Sequence, residues 1–178
     1  MNVVFFPAAV LVIAATVLAG CGGETPAASP GTPLAEIDAC ALLTAEEIEA
    51  ATGIVPGPPG KDGPKSAVPM CNWPAAEGDY PFALSLLISR SDNFDSFEGA
   101  MLKWQESAES MDFPFDPEDY EEVEGPGKVN AWLIDAGMLQ AHRGNRLVQV
   151  YAQVSPDRDQ LEASIALATH AMTRLDVQ

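Results

Sequence analysis

Met138-Leu139-Gln140-Ala141-His142-Arg143-Gly144-Asn145-Arg146-Leu147-Val148-Gln149-Val150-Tyr151 carries the plainest supersecondary pattern of the chain. Two runs of alternating character, Met138 to Arg143 and Arg146 to Val154, flank Gly144-Asn145, a glycine-first pair suited to a two-residue type II′ hairpin. With Arg143 opposite Arg146, Ala141 faces Val148 and Leu139 faces Val150, which makes one face of the hairpin apolar. The other face carries Met138, Gln140, His142, Leu147, Gln149 and Tyr151, a mixture of apolar and amide groups.

A second strand reads clearly upstream. Phe82, Leu84, Leu86 and Ile88 alternate with Ala83, Ser85, Leu87 and Ser89, the period of a strand with one strongly buried face. Shorter strands are expected at Met70 to Trp73, near Tyr120 to Glu124 and from Val129 to Ile134, with Gly125-Pro126-Gly127 as a turn. Three helices complete the pattern. Thr44-Ala45-Glu46-Glu47 has the form of a capping box, and its helix runs to about Thr52, where Gly53 can adopt the left-handed closing conformation. Asp92 can cap a helix whose Phe94, Phe97, Met101, Trp104, Ala108 and Met111 make one apolar stripe. Asp157 can cap the last helix, striped by Leu161, Ile165, Ala168, Met172 and Leu175, with His170 on its exposed side. The expected fold is α+β: a single antiparallel sheet of about five strands packed against helices on one face, with one disulfide.

The N-terminus speaks to location. Val3 to Ala19 is uncharged and apolar, falls just short of the ~20 residues of a membrane-spanning helix, and ends in small residues. Leu18-Ala19-Gly20-Cys21 resembles the lipobox of bacterial lipoproteins. That resemblance implies cleavage after Gly20 and a diacylglyceryl group on Cys21, so that residues 1–20 are a signal peptide and the chain is anchored through lipid on the outer side of a bacterial membrane. An uncleaved N-terminal anchor helix is the other reading of the same run. Residues 21–36 then form a flexible tether of small residues and prolines with an r.m.s. span of about 20 Å, and residues 37–178 form one domain. With Cys21 set apart, Cys40 and Cys71 remain as an even pair in an oxidising compartment, and a disulfide between them is expected. It closes a loop through the Pro/Gly-rich segment Gly53 to Pro64, and Gly57 to Lys65, which reads as consecutive Gly-x-y triplets too few for a collagen helix, is expected to be a mobile surface loop.

Lys and Arg number 9 against 26 Asp and Glu, a formal net charge of −17. Such a chain repels nucleic acid and anionic headgroups; its natural partners are cations, basic proteins of the envelope or none, and the same balance of charge serves equally as a solubility adaptation to a saline habitat. Between Glu106 and Glu124 lie nine acidic residues and no basic one, yet their spacing matches no calcium loop and Pro114 and Pro117 interrupt any helix. No metal site, cofactor or catalytic motif is expected: the two histidines do not form a His-x-x-x-His pair, and no Gly-x-Ser-x-Gly elbow occurs.

Asp38-Ala39-Cys40-Ala41-Leu42-Leu43-Thr44, Cys71-Asn72-Trp73, the Gly125 to Gly127 turn and a closing Ala-rich helix ending Arg174-Leu175 together resemble a family of secreted bacterial lipoproteins of unknown function. The resemblance covers roughly Ile37 to Leu175 and also implies that the two cysteines pair. The turn departs from the family, which tends to have Gly-Leu-Gly-Asp-x-Ala where this chain has Gly-Pro-Gly-Lys-Val-Asn-Ala. The expected role is therefore non-enzymatic binding, with Met138, Gln140, His142, Gln149 and Tyr151 as the binding face. The alternative is an envelope hydrolase with His142 in its site. An enzyme would require a deep pocket that brings His142 against a nucleophile or acid.

Overall fold

Gly144 takes a φ of 56° while Asn145 stays outside the left-handed region, and the hairpin closes in the register that the alternation dictates: Arg143 pairs with Arg146, Ala141 with Val148 and Leu139 with Val150. The structure, a computed structural model, describes residues 33–60, 68–78 and 80–176. The Val3 to Ala19 run, Cys21, the tether before Pro33 and residues 61–67 lie outside the described residues. The strands are β1 (Met70–Trp73), β2 (Leu84–Arg90), β3 (Tyr120–Glu122), β4 (Val129–Leu133), β5 (Met138–Arg143) and β6 (Arg146–Ala152). They form one six-stranded antiparallel sheet in the order β1-β2-β6-β5-β4-β3.

The helices are α1 (Ala45–Thr52), α2 (Phe97–Ser110) and α3 (Gln160–Leu175). α1 begins with the full capping box, Thr44 and Glu47 each accepting from the other's backbone N–H, and closes at Gly53 with φ 71°. α3 is capped by Asp159 rather than Asp157, whose carboxylate instead accepts from the Ser155 hydroxyl. Its buried face centres on Ser164, Leu167, Ala168 and Ala171, so Leu161, Ile165 and Leu175 sit at the margins of the expected stripe. Small residues at the centre let the helix lie close to β5 and β6.

One side of the sheet carries the main core. Cys71, Trp73, Leu84, Leu86, Ile88, Trp132, Leu139, Ala141, Val148 and Val150 meet Ile48, Leu167, Ala168, Ala171 and Met172 of α1 and α3. Each fully buried Val, Leu or Ile there contributes roughly 1.5–3 kcal/mol relative to exposure. The expectation that all helices share one face is corrected: α2 lies on the other side, where Phe94, Phe97, Ala100 and Trp104 pack with Val129. An apolar stripe says that a helix buries a face but not against which side of a sheet. The connection decides it here. The chain leaves β2 at Ser91, whose N–H bonds to Asn145 O, and passes over the hairpin tip to the outer side. Ser96 rather than Asp92 caps α2, so Phe94 precedes the helix, and Met111 at the end of the expected stripe is 65% exposed.

Residues 34–36, assigned above to the tether, have defined structure. Leu34–Glu36 is a 3-10 turn, and Leu34 packs on the core. Cys40 and Cys71 are disulfide-bonded with Cα atoms 5.1 Å apart, tying the Ala39–Ala41 turn to edge strand β1. Residues 55–60, which include the start of the Gly57 to Lys65 segment, run along that edge, and the rest of that segment lies outside the described residues. Gly60 exchanges both backbone hydrogen bonds with Asn72, Gly57 donates to Pro74 O, and Ala76 donates to Val55 O. An edge covered in this way offers few free N–H groups to another strand. Phe82 also departs from expectation: it precedes β2, and its ring lies 4.9 Å from that of Tyr151 on the outer face, while Ala83 is buried.

Candidate functional site

The residues singled out as a binding face do come together. On the outer side of the sheet Met138 pairs with Tyr151, Gln140 with Gln149 and His142 with Leu147. β2 extends these rows with Ser85, Leu87 and Ser89, and β4 adds Leu133, Ala131 and Val129. The face is not uniform. Its His142 end lies under α2, whereas Met138, Gln140, Leu147, Gln149 and Tyr151 are each half-buried. Gln140 and Gln149 stand opposite one another between the Met138/Tyr151 and His142/Leu147 pairs, and neither side-chain amide hydrogen-bonds to any described residue.

His142 itself is 4% exposed. Its ring lies 5.2 Å from Phe94 and 5.2 Å from Trp104, and these two rings meet edge-on at 5.9 Å. The ring chain continues from Trp104 to Tyr120 at 5.5 Å and from Tyr120 to Phe115 at 5.5 Å. Its Nδ1 is 2.6 Å from Ser91 Oγ, which in turn lies 2.8 Å from Asp92 O. A hydroxyl has one hydrogen, so both contacts are satisfied when Nδ1–H donates to Ser91 and Ser91 donates to the Asp92 carbonyl. Burial pushes the imidazole pKa from 6.5 down to about 4, because the charged form loses water without gaining a carboxylate. His142 is therefore a neutral group at neutral pH that pins the chain between β2 and α2.

The turn expected at Gly125-Pro126-Gly127 braces the same strand. Asn130, 6% exposed, accepts from Gly127 N–H and donates to Gly127 O. Arg143 donates to Pro126 O, and Lys128 N–H donates to His142 O at 2.7 Å. A Cβ on Gly127 would come within 2.7 Å of the His142 backbone, so only glycine fits against β5 here.

His170 is exposed as expected, yet it has a partner. Its Nδ1 is 3.3 Å from Glu47 Oε1, and Arg174 makes two 2.7 Å bonds to the same carboxylate while also donating to Leu42 O. The Arg174 hydrogen bonds outweigh partial burial and hold the Glu47 pKa at about 2. This cluster clamps α1 to α3. Its residues have no separation that marks them in sequence, and the same is true of Ser91 and His142, which lie 51 residues apart. Among the described residues no three His, Cys, Asp or Glu side chains are grouped to hold a metal ion, the acidic segment from Glu106 to Glu124 included. Comparison with protein-family models, with curated proteins and with solved structures found no match for this chain.

Proposed function

We propose that the chain is a lipid-anchored protein of the bacterial cell envelope whose domain is a non-enzymatic binding module, using the half-open outer face of the sheet beside α2. The observation that carries the binding reading is the facing pair Gln140 and Gln149, whose amides bond to no described residue and are framed by Met138, Leu147 and Tyr151. Amides offer both donors and acceptors and carry no charge. In an apolar frame they suit a ligand that presents its own amide or hydroxyl groups between apolar contacts. The anchored location rests on Leu18-Ala19-Gly20-Cys21, and the Cys40–Cys71 bridge is in keeping with an oxidising compartment.

Two experiments test these parts separately. Replacing Cys21 with Ser is expected to move the protein from the membrane fraction to the soluble envelope fraction. Continued membrane retention of the variant would instead support an uncleaved N-terminal anchor. For binding, a photo-crosslinking residue in place of Gln149 is expected to give a discrete adduct in native envelopes. The same group at exposed Thr169 on α3 is expected to give none, and equal labelling from both positions would remove the sheet face from consideration.

The contact between Ser91 and His142 favours a second reading, a serine hydrolase. Its chemistry is unsupported by the surroundings. In a Ser-His-acid arrangement a carboxylate holds the imidazole nitrogen remote from the serine, whereas Nε2 of His142 has no hydrogen-bond partner among the described residues. A base with a pKa near 4 is also far below the range that serves proton transfer at neutral pH. A fluorophosphonate probe, which labels activated serines, is expected to leave Ser91 unmodified. Stoichiometric labelling of Ser91 would establish the hydrolase instead.

A further inference from the structure

The end of α2 is a closed turn that holds two apolar side chains in water. Asp112 takes a φ of 55°; its N–H bonds to Glu109 O at 3.2 Å and that of Phe113 to Ala108 O at 2.9 Å. These are the paired bonds of a Schellman closure, with aspartate in the left-handed position that glycine usually occupies. The turn is therefore a defined end rather than a frayed one. It is anchored on its far side by Phe115, stacked on Tyr120, which in turn packs on Trp104. Met111 and Phe113, either side of Asp112, are 65% and 69% exposed, the largest exposures among the described large hydrophobic residues.

A single exposed apolar residue is ordinary. Two on one fixed turn, set among charges of one sign, are a recognisable surface. Glu106, Glu109, Asp112, Asp116 and Glu118 surround the turn in the chain, and no Lys or Arg occurs between Glu106 and Glu124. Lys103 lies just outside and is paired with Glu106. We propose that this turn docks a basic polypeptide segment, which places an apolar side chain against Met111 and Phe113 and its Lys or Arg residues against the flanking carboxylates. The carboxylates steer a cationic partner, and the two apolar side chains are the surface that such a partner covers. The same charges disfavour an anionic lipid surface as the occupant. This docking surface is separate from the outer sheet face and does not depend on it.

The test uses the full chain in nanodiscs of zwitterionic lipid, empty nanodiscs as the blank, and a short fluorescent peptide of alternating Lys and Leu as the probe. The peptide is expected to bind with an affinity that falls as salt is raised, and its Glu-Leu counterpart is expected not to bind. A Met111→Ser/Phe113→Ser variant, altered only at exposed positions, is expected to bind at least about tenfold more weakly, as truncation of apolar anchors does. Asp112→Asn with Asp116→Asn is expected to weaken binding less and to flatten its salt dependence. Gln149→Ala is expected to leave binding unchanged, which separates this surface from the sheet face. Undiminished binding by the Ser variant, or equal binding of an oligolysine without leucine, would overturn the proposal. So would a result in which the chief loss in the Ser variant is partition onto anionic vesicles.

Discussion

Replacing Cys40 and Cys71 together with alanine is expected to lower the unfolding free energy by about 3–4 kcal/mol, the chain-entropy value for a loop of this size. The separation of the cysteines is 31 residues. The loss falls on a vulnerable place. β1 is the outermost strand on its side of the sheet, and it is held by β2 on one edge and by residues 55–60 on the other. Cys71 is fully buried beside Leu86, so the substitution also removes packed sulfur from the core. For a domain of this size the midpoint of thermal unfolding is expected to fall by roughly 10 °C. Reducing agent is expected to lower the native protein toward the variant, leaving it above by the packing of the retained sulfurs. Amide exchange is expected to accelerate first in β1 and in residues 55–60, ahead of β5 and β6. Identical midpoints for the native and alanine proteins under oxidising conditions would show that the bridge contributes nothing to stability.

The second large effect is a loss of stability in mild acid, and it originates at His142. Burial holds the imidazole pKa at about 4 in the folded chain, against 6.5 for a solvated histidine such as the unfolded chain presents. A group whose pKa is lowered on folding contributes its full stability above its unfolded value, and that stability is lost as pH falls through the folded value. The window is therefore pH 6.5 down to 4. Across it the folded state is expected to lose about 3 kcal/mol, from ~1.4 kcal/mol for each pKa unit. The charge would have to form between Phe94 and Trp104, with Ser91 as its hydrogen-bonding neighbour. Lys128, whose backbone N–H donates to His142 O, has its side chain paired with Asp95 at the surface. Glu47 adds a separate loss lower down, from 4.5 toward about 2, when protonation breaks its bonds to Arg174. Denaturant titrations at pH 7 and pH 4.5 are expected to show the native protein losing about 2–3 kcal/mol more than a His142→Phe variant does. The variant keeps an aromatic ring under α2 but cannot titrate, and it leaves Glu47 untouched. Equal acid sensitivity in the two proteins would mean that His142 is not the group responsible.

The legible and illegible parts of this chain divide along a physical line. Hairpin register is readable because the side-chain period is two and Gly144 supplies the left-handed turn residue, so that placing Arg143 opposite Arg146 assigns every residue to a face. The capping box at Thr44 and Glu47 is readable because it is completed within four residues. Caps assigned by spacing alone slip: Asp92 and Asp157 give way to Ser96 and Asp159, because several Asp and Ser residues precede each helix and only the backbone path chooses among them. The candidate face from Met138 to Tyr151 is correctly grouped by its alternation, but its division into a covered His142 end and a half-open glutamine pair is not visible there.

The antiparallel sheet, the identity of the three helices, the pairing of Cys40 with Cys71 and the acidic character of the surface can all be had from the order of residues. They follow from local periodicity or from counting. The folded chain was needed to learn that α2 crosses to the outer side, that Ser91 meets His142, that Arg174 and His170 converge on Glu47, and that residues 55–60 cover the β1 edge. Each of these depends on residues distant in the chain being brought together. Local free energies leave such encounters undetermined; packing the whole sheet selects them.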